Sequence, residues 1–208
     1  IDGSGSMDKS MPLVKQAATE FVSNLIGEKD KGFVIEFRER PTLLAAMTSR
    51  RTDLIRAIGE TRAGGATAFH DSIVLGLYQF RPLAGKKALV VLTDGKDNHS
   101  STDWPTLKRY ARTAGVPIFF IGLDLGIFDM GLKSRLKELA DDTGGETFFI
   151  GKAAELPDIY RKIETEVRSQ YFLSYLNESK KKDDVYRLVE VRMGKPGLRA
   201  KTIRGYFP

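Results

Sequence analysis

The chain contains no cysteine and only two histidines, His70 and His99, among its 208 residues. Disulfide scaffolds, thiol nucleophiles, iron–sulfur clusters and nearly all structural zinc arrangements are excluded, and any metal must be held by oxygen. Long hydrophobic runs are lacking too. Even residues 88–92 are closed off by Thr93 and Asp94, far short of the roughly 18 to 20 apolar residues that a membrane-spanning helix needs. The chain opens at Ile1-Asp2 without an initiator Met and without the charged and apolar regions of a signal peptide, so the expectation is a piece of a longer polypeptide. A pervasive excess of one charge is also missing. The net charge is +6, but residues 171–208 hold nine Lys/Arg against four Asp/Glu, which accounts for +5 and leaves +1 for the first 170 residues. A nucleic-acid footprint on the main body is therefore poorly supported.

What is present is ordinary globular composition, 41% hydrophobic and 29% charged, in which strand-like and helix-like stretches alternate over the first 170 residues. Apolar runs at 32–37, 88–92, 116–121 and 147–150 predict strands, two of them continuous enough for burial on both faces. Ile1 is expected to be the last residue of a further strand, and residues 42–47 suit an antiparallel edge. Val14, Ala18, Phe21, Val22 and Leu25 recur at helical spacing, as do Leu54, Ile55 and Ile58, and Ile73, Leu77 and Phe80. Further helices are predicted at 104–114, 132–140 and 156–167, with Asp103 as a cap and Gly144-Gly145 as a stop. The alternation predicts an α/β fold over 1–170: a Rossmann-like, doubly wound, mostly parallel central sheet flanked by helices. Residues 171–208 form a β-rich extension, expected to pack on this domain or on an upstream one. Its strands are predicted at 171–175, 185–193 and 200–206, with a turn at Pro196-Gly197 and Lys180-Lys181-Lys182 at a solvated hairpin tip.

The most informative residues come first. Asp2-Gly3-Ser4-Gly5-Ser6 sets one carboxylate and two hydroxyls at alternate positions directly after a strand end, where an open α/β sheet forms its ligand crevice. Two other loops at that end carry matching groups: Thr67 follows the Gly64-Gly65 pair, and Asp94 ends the most apolar strand. Asp2, Ser4, Ser6, Thr67 and Asp94 make an oxygen set suited to a hard divalent cation such as magnesium. With two carboxylates only, the cation keeps positive charge and an open position that an acidic oxygen from outside can fill. Alone, the first motif reads equally well as a Gly/Ser turn in which Ser4 or Ser6 caps a helix. Asp71 is read as a cap of a helix at 72–80 or as a partner behind the ligands. Asp97 and Asn98 are read as loop-formers that shape the rim, and His70 and His99 as surface or supporting residues.

Asp2, Ser4, Ser6, Thr67 and Asp94 together resemble the von Willebrand factor A domain with its metal-ion-dependent adhesion site, over about residues 1–170. Residues 64–71 and 92–98, with Gln170-Tyr171 and Arg204-Gly205-Tyr206, more narrowly resemble bacterial proteins related to that domain. The resemblance implies that Ser4, Ser6 and Thr67 coordinate the cation directly or through water, while Asp2 and Asp94 anchor it. It implies Mg²⁺, with Mn²⁺ or Ca²⁺ as alternatives, and a protein partner whose Asp or Glu completes the shell. Loops 98–104 and 125–130 would select that partner, with Phe128 as an apolar contact and Trp104 read first as a core residue at a helix start and only second as a rim contact. An extracytoplasmic location is implied in the same way.

The enzymatic alternatives leave little trace. The chain has no Gly-x-Ser-x-Gly elbow, no phosphate loop and no Gly-x-Gly-x-x-Gly after a strand, and it is read as not an enzyme. Magnesium-dependent phosphoryl transfer or hydrolysis starting from Asp2 remains an alternative, although Ser4 stands where such chemistry wants a second carboxylate. A structural module with a vestigial metal site is the other.

Overall fold

The computed structural model describes residues 1–126, 129–171, 173, 185–198 and 200–207. In chain order they form α1 (Met11–Leu25), β1 (Gly32–Phe37), β2 (Pro41–Thr48), α2 (Arg51–Glu60), α3 (Phe69–Gln79), β3 (Leu89–Thr93), α4 (Trp104–Ala114), β4 (Ile118–Leu123), α5 (Met130–Thr143), β5 (Glu146–Ile150), α6 (Leu156–Arg168), β6 (Arg187–Leu188) and β7 (Gly205–Tyr206). β4 is buried along its whole length, and its alternating side chains divide the interior in two. Phe119, Ile121 and Leu123 join a core with α1, α2 and α6, whereas Ile118 and Phe120 join a second with α3, α4 and α5. A strand with period-two side chains and apolar residues on both faces is what a sheet covered by helices on both sides requires.

β3, β4 and β5 are parallel neighbours, with Val91 opposite Phe120 and Ile121 opposite Phe148. β1 and β2 pair antiparallel, with Ile35 opposite Leu43, as the edge hairpin required. Residues 1–3 join the two sheets. The Ile1 ammonium donates to the Ile35 carbonyl (2.8 Å), Phe37 N–H donates to Ile1 O (3.1 Å) and Gly3 N–H to Phe37 O (2.9 Å). On the other side Asp2 N–H donates to Leu92 O (3.0 Å), and Asp2 bridges Phe37 in parallel sense. The resulting order is β2, β1, residues 1–3, β3, β4, β5. The chain leaves residues 1–3 toward β1 on one side and returns to β3 on the other, so this is the switch point at which a doubly wound sheet opens its crevice. Past Ile1, at the opposite end from Asp2, a cavity of about 830 Å³ lies between the two halves, lined by Phe33, Ile35, Leu89, Val91 and Tyr160 among others.

Helix limits follow the sequence closely, and Asp103 caps α4 by accepting from Thr106 N–H at 2.9 Å. β4, however, begins two residues later than periodicity places it. Pro117 has no N–H to give the ladder, and its carbonyl accepts from Leu89 N–H instead (2.9 Å). The extension departs further from expectation: among the described residues β6 and β7 are antiparallel but two residues long each, and Val191, Met193 and Leu198 lie exposed. The predictions at 171–175 and 180–182 fall largely or wholly on residues outside those described. What is described of the extension touches α4 and the end of α5. Arg204 N–H donates to Asp142 O (3.1 Å), and Arg112 pairs with the buried Asp142 (2.8 Å) while lying over the Tyr186 ring (4.6 Å).

Candidate metal centre

Asp2 is completely buried, and both of its oxygens are engaged. Oδ1 accepts from Ser4 N–H (2.8 Å), and Oδ2 accepts from the hydroxyl of Thr93, the last residue of β3 (2.6 Å). Burying a carboxylate is costly unless hydrogen bonds replace water, and here the two bonds also fix its orientation. The Ser4 hydroxyl lies 3.1 Å from that of Ser6, and Ser6 donates to Asp94 Oδ1 at 2.8 Å. Asp2, Ser4, Ser6 and Asp94 thus form one continuous hydrogen-bonded row across the switch point. Ser4 precedes a single 3-10 turn, Gly5–Met7, but makes no capping bond to it, so the capping alternative does not describe this loop. Thr67 arrives through its backbone. Its N–H donates to Asn98 Oδ1 (2.8 Å) and its carbonyl accepts from Asn98 N–H (3.1 Å), while Gly5 N–H donates to Gly65 O (3.3 Å).

Two glycines let these loops meet. A Cβ on Gly3 would lie 2.7 Å from Arg62 O and 3.0 Å from Glu36 Cγ, and one on Gly65, whose φ is +81°, would collide with the Glu39 carboxylate. Gly3→Ala is expected to destabilise by about 1–3 kcal/mol, the usual cost of overpacking, as a lower urea midpoint with an unchanged slope. A midpoint equal to wild type would show that the Arg62 backbone yields freely.

The donors are hydroxyl and carboxylate oxygens, and among the described residues no three His, Asp or Glu side chains converge on one point. That chemistry fits a hard cation satisfied by few charged ligands and some water. A sequence model of the von Willebrand factor type A domain matches residues 1–162. The chain belongs to that family.

Solved structures share the fold. A von Willebrand factor type A protein from Catenulispora acidiphila aligns with TM-score 0.68 and 21% identity over 80% of this chain, which spans only 41% of that protein. The von Willebrand factor domain of a type V pili tip protein from Porphyromonas gingivalis aligns with TM-score 0.69 and 13% identity over 86% of this chain and 96% of its own. Proximal thread matrix protein 1 from the mussel byssus, solved with a zinc-occupied MIDAS motif, aligns with TM-score 0.65 and 24% identity, covering 79% of this chain and 43% of that one. Among curated proteins, none matches the chain.

The electrostatics of this von Willebrand A domain single out Asp94. Burial, together with the Asp2 and Asp124 carboxylates, pushes its pKa above the ordinary value against the hydrogen bond from Ser6. Asp124 acts on Asp94 only through its charge. It follows β4 at the same sheet end and takes a left-handed φ of +52°, the Asp-Leu-Gly after an apolar run being the one available signal. Thr93 carries no signal beyond ending its strand, although its hydroxyl is one of the two groups that hold Asp2.

For Asp71 it is the cap reading that requires a correction. It sits in the first turn of α3 rather than before it, and its carboxylate accepts from Ser101 and Thr102 N–H (both 2.9 Å). Burial opposes its ionisation, but these bonds outweigh it and hold its pKa low. α3 is capped from the other loop: His70 N–H donates to Asp97 Oδ1 (3.2 Å) and Asp71 N–H to Ser100 Oγ (3.1 Å). His70 Nδ1 lies 2.9 Å from Thr102 O, a supporting role, and His99 is exposed. Trp104 is half-buried between His70 and Arg135, and Phe128 lies outside the described residues.

Proposed function

We propose that this domain is a divalent-cation-dependent protein-binding module in which Asp2, Ser4, Ser6, Thr67 and Asp94 hold Mg²⁺, or Mn²⁺ or Ca²⁺ in its place. The observation that carries this reading is the row Asp2–Ser4–Ser6–Asp94, which gathers two carboxylates and two hydroxyls from adjacent strand ends. A cation bound there supplies positive charge at the rim, because two carboxylates with neutral hydroxyls leave its attraction for oxygen unspent. An Asp or Glu on a partner protein is the complement of that charge. Asp2 serves as the buried anchor, with Thr93 and Ser4 N–H orienting it. Ser4, Ser6 and Thr67 present neutral oxygens, and Asp94 provides the second charge. The role as a binding module rather than an enzyme is supported by membership of the family. The likeness to a pilus tip protein supports an extracytoplasmic setting. A domain over 1–170 with 171–208 as its appendix is part of the same reading, supported by the contacts of Arg204 and Tyr186 with α4 and α5.

Thermal melts in EDTA and in excess Mg²⁺, Mn²⁺ or Ca²⁺ test it. A ligand that binds only the folded state adds about 2.7 kcal/mol at 100 times its Kd. That gain is expected for the wild type and a smaller one for Thr67→Ala, and capture of an acidic protein ligand should be abolished by EDTA. A wild-type melt that no cation moves would overturn the proposal.

A further inference from the structure

Thr67 is the one member of the candidate set that joins no side-chain row, and its placement is delegated to a residue 31 positions away. Both backbone polar groups of Thr67 are satisfied by Asn98, through the amide Oδ1 (2.8 Å) and the N–H (3.1 Å). Asn98 stands four residues after Asp94, on the same loop. The adjoining contacts all run between the same two segments: Asp97 and Ser100 cap α3 from outside, and Asp71 returns the bonds to Ser101 and Thr102. The loop that carries Asp94 and the loop that carries Thr67 are therefore fastened into one body, with Asn98 at the end nearest the site.

We infer that Asn98 is the positioning residue for the Thr67 hydroxyl, fixing its place relative to Asp94 before any cation binds. The inference rests on the cation-binding reading above. A neutral hydroxyl contributes to a metal shell only where its oxygen is held near its productive position, and such support comes from the groups behind the ligands. An amide suits this place because its oxygen accepts the Thr67 N–H without bringing a further negative charge beside Asp94. Asn98 is exposed, so its replacement leaves the two cores untouched.

Titration calorimetry with Mn²⁺ on the full chain tests the inference. Asn98→Leu, similar in shape but without an acceptor, is expected to weaken Mn²⁺ binding by on the order of 10–100-fold, as loss of support behind a metal ligand does, while the melt in EDTA changes little. Asn98→Asp keeps the acceptor and is expected to restore most of the affinity. That recovery should persist at 1 M salt, where the Debye length is about 3 Å and a purely coulombic rescue is screened away. In a Thr67→Ala background Asn98→Leu should weaken Mn²⁺ binding no further, because residues acting through one group are not additive. Asn98→Ser, too short to reach Thr67, stands in if the leucine variant does not fold. Equal affinity of wild type and Asn98→Leu, or an undiminished loss in the Thr67→Ala background, overturns the inference and leaves the site standing. A wild type that binds no Mn²⁺ overturns the site itself.

Discussion

The 208-residue chain, with its amino terminus at Ile1, is expected to lose on the order of 2 kcal/mol of folding stability as the pH falls from 8 to 6, through one group. The Ile1 ammonium is buried between the two halves of the sheet, and burial lowers its pKa from 8.0 to about 6, against the attraction of Asp2 and Glu36. Between those values the unfolded chain binds a proton that the folded chain has released, so stability rises with pH across the window and is level above it. Urea unfolding at pH 6 and pH 8.5 measures the slope, and an amino-terminally acetylated chain isolates the cause, since acetylation removes the titration. Equal slopes in the two chains would assign the effect elsewhere.

Part of this architecture was legible in the sequence and part was not. The two-sided burial of β3 and β4 could be read because short unbroken runs of β-branched and aromatic residues suit strands covered on both faces. The helix limits could be read because Asp103 and the Gly144-Gly145 pair are local signals. Asp2, Ser4 and Ser6 are neighbours in sequence, and Asp94 ends a strand whose position the apolar pattern fixes. The pairing of Thr67 with Asn98 was not legible, because it depends on two loops meeting across β3 and α3 rather than on any spacing. The cap reading of Asp71 fails for the same reason: a carboxylate at a helix start looks like a cap, yet its hydrogen bonds run to the loop after β3. The antiparallel pairing in the extension was legible, but its strands are shorter than alternation suggests, because alternation predicts long strands where one face is buried and Val191 and Met193 are exposed.

Asp94→Asn should move stability in opposite directions with and without a cation. The raised pKa of Asp94 means that folding disfavours its charge, chiefly through burial and then through Asp2 and Asp124. The sign follows from linkage. Between the ordinary value of 3.8 and the raised one, the folded state keeps a proton that the unfolded state has lost, so stability falls as pH rises through that window and the cost persists at neutral pH. Asparagine removes the charge and retains an oxygen to accept the Ser6 hydroxyl. In EDTA at pH 7 the variant is therefore expected to melt above the wild type, with the difference shrinking as the pH is lowered into the carboxylate range. In excess Mg²⁺ the order should invert, since losing one of two charged ligands lowers affinity by on the order of 100-fold. Crossing melting curves are the signature of a charge that folding tolerates for the sake of a ligand. A variant that melts below the wild type in EDTA would show that the Asp94 carboxylate serves the fold. One that matches the wild type in Mg²⁺ would remove Asp94 from the centre.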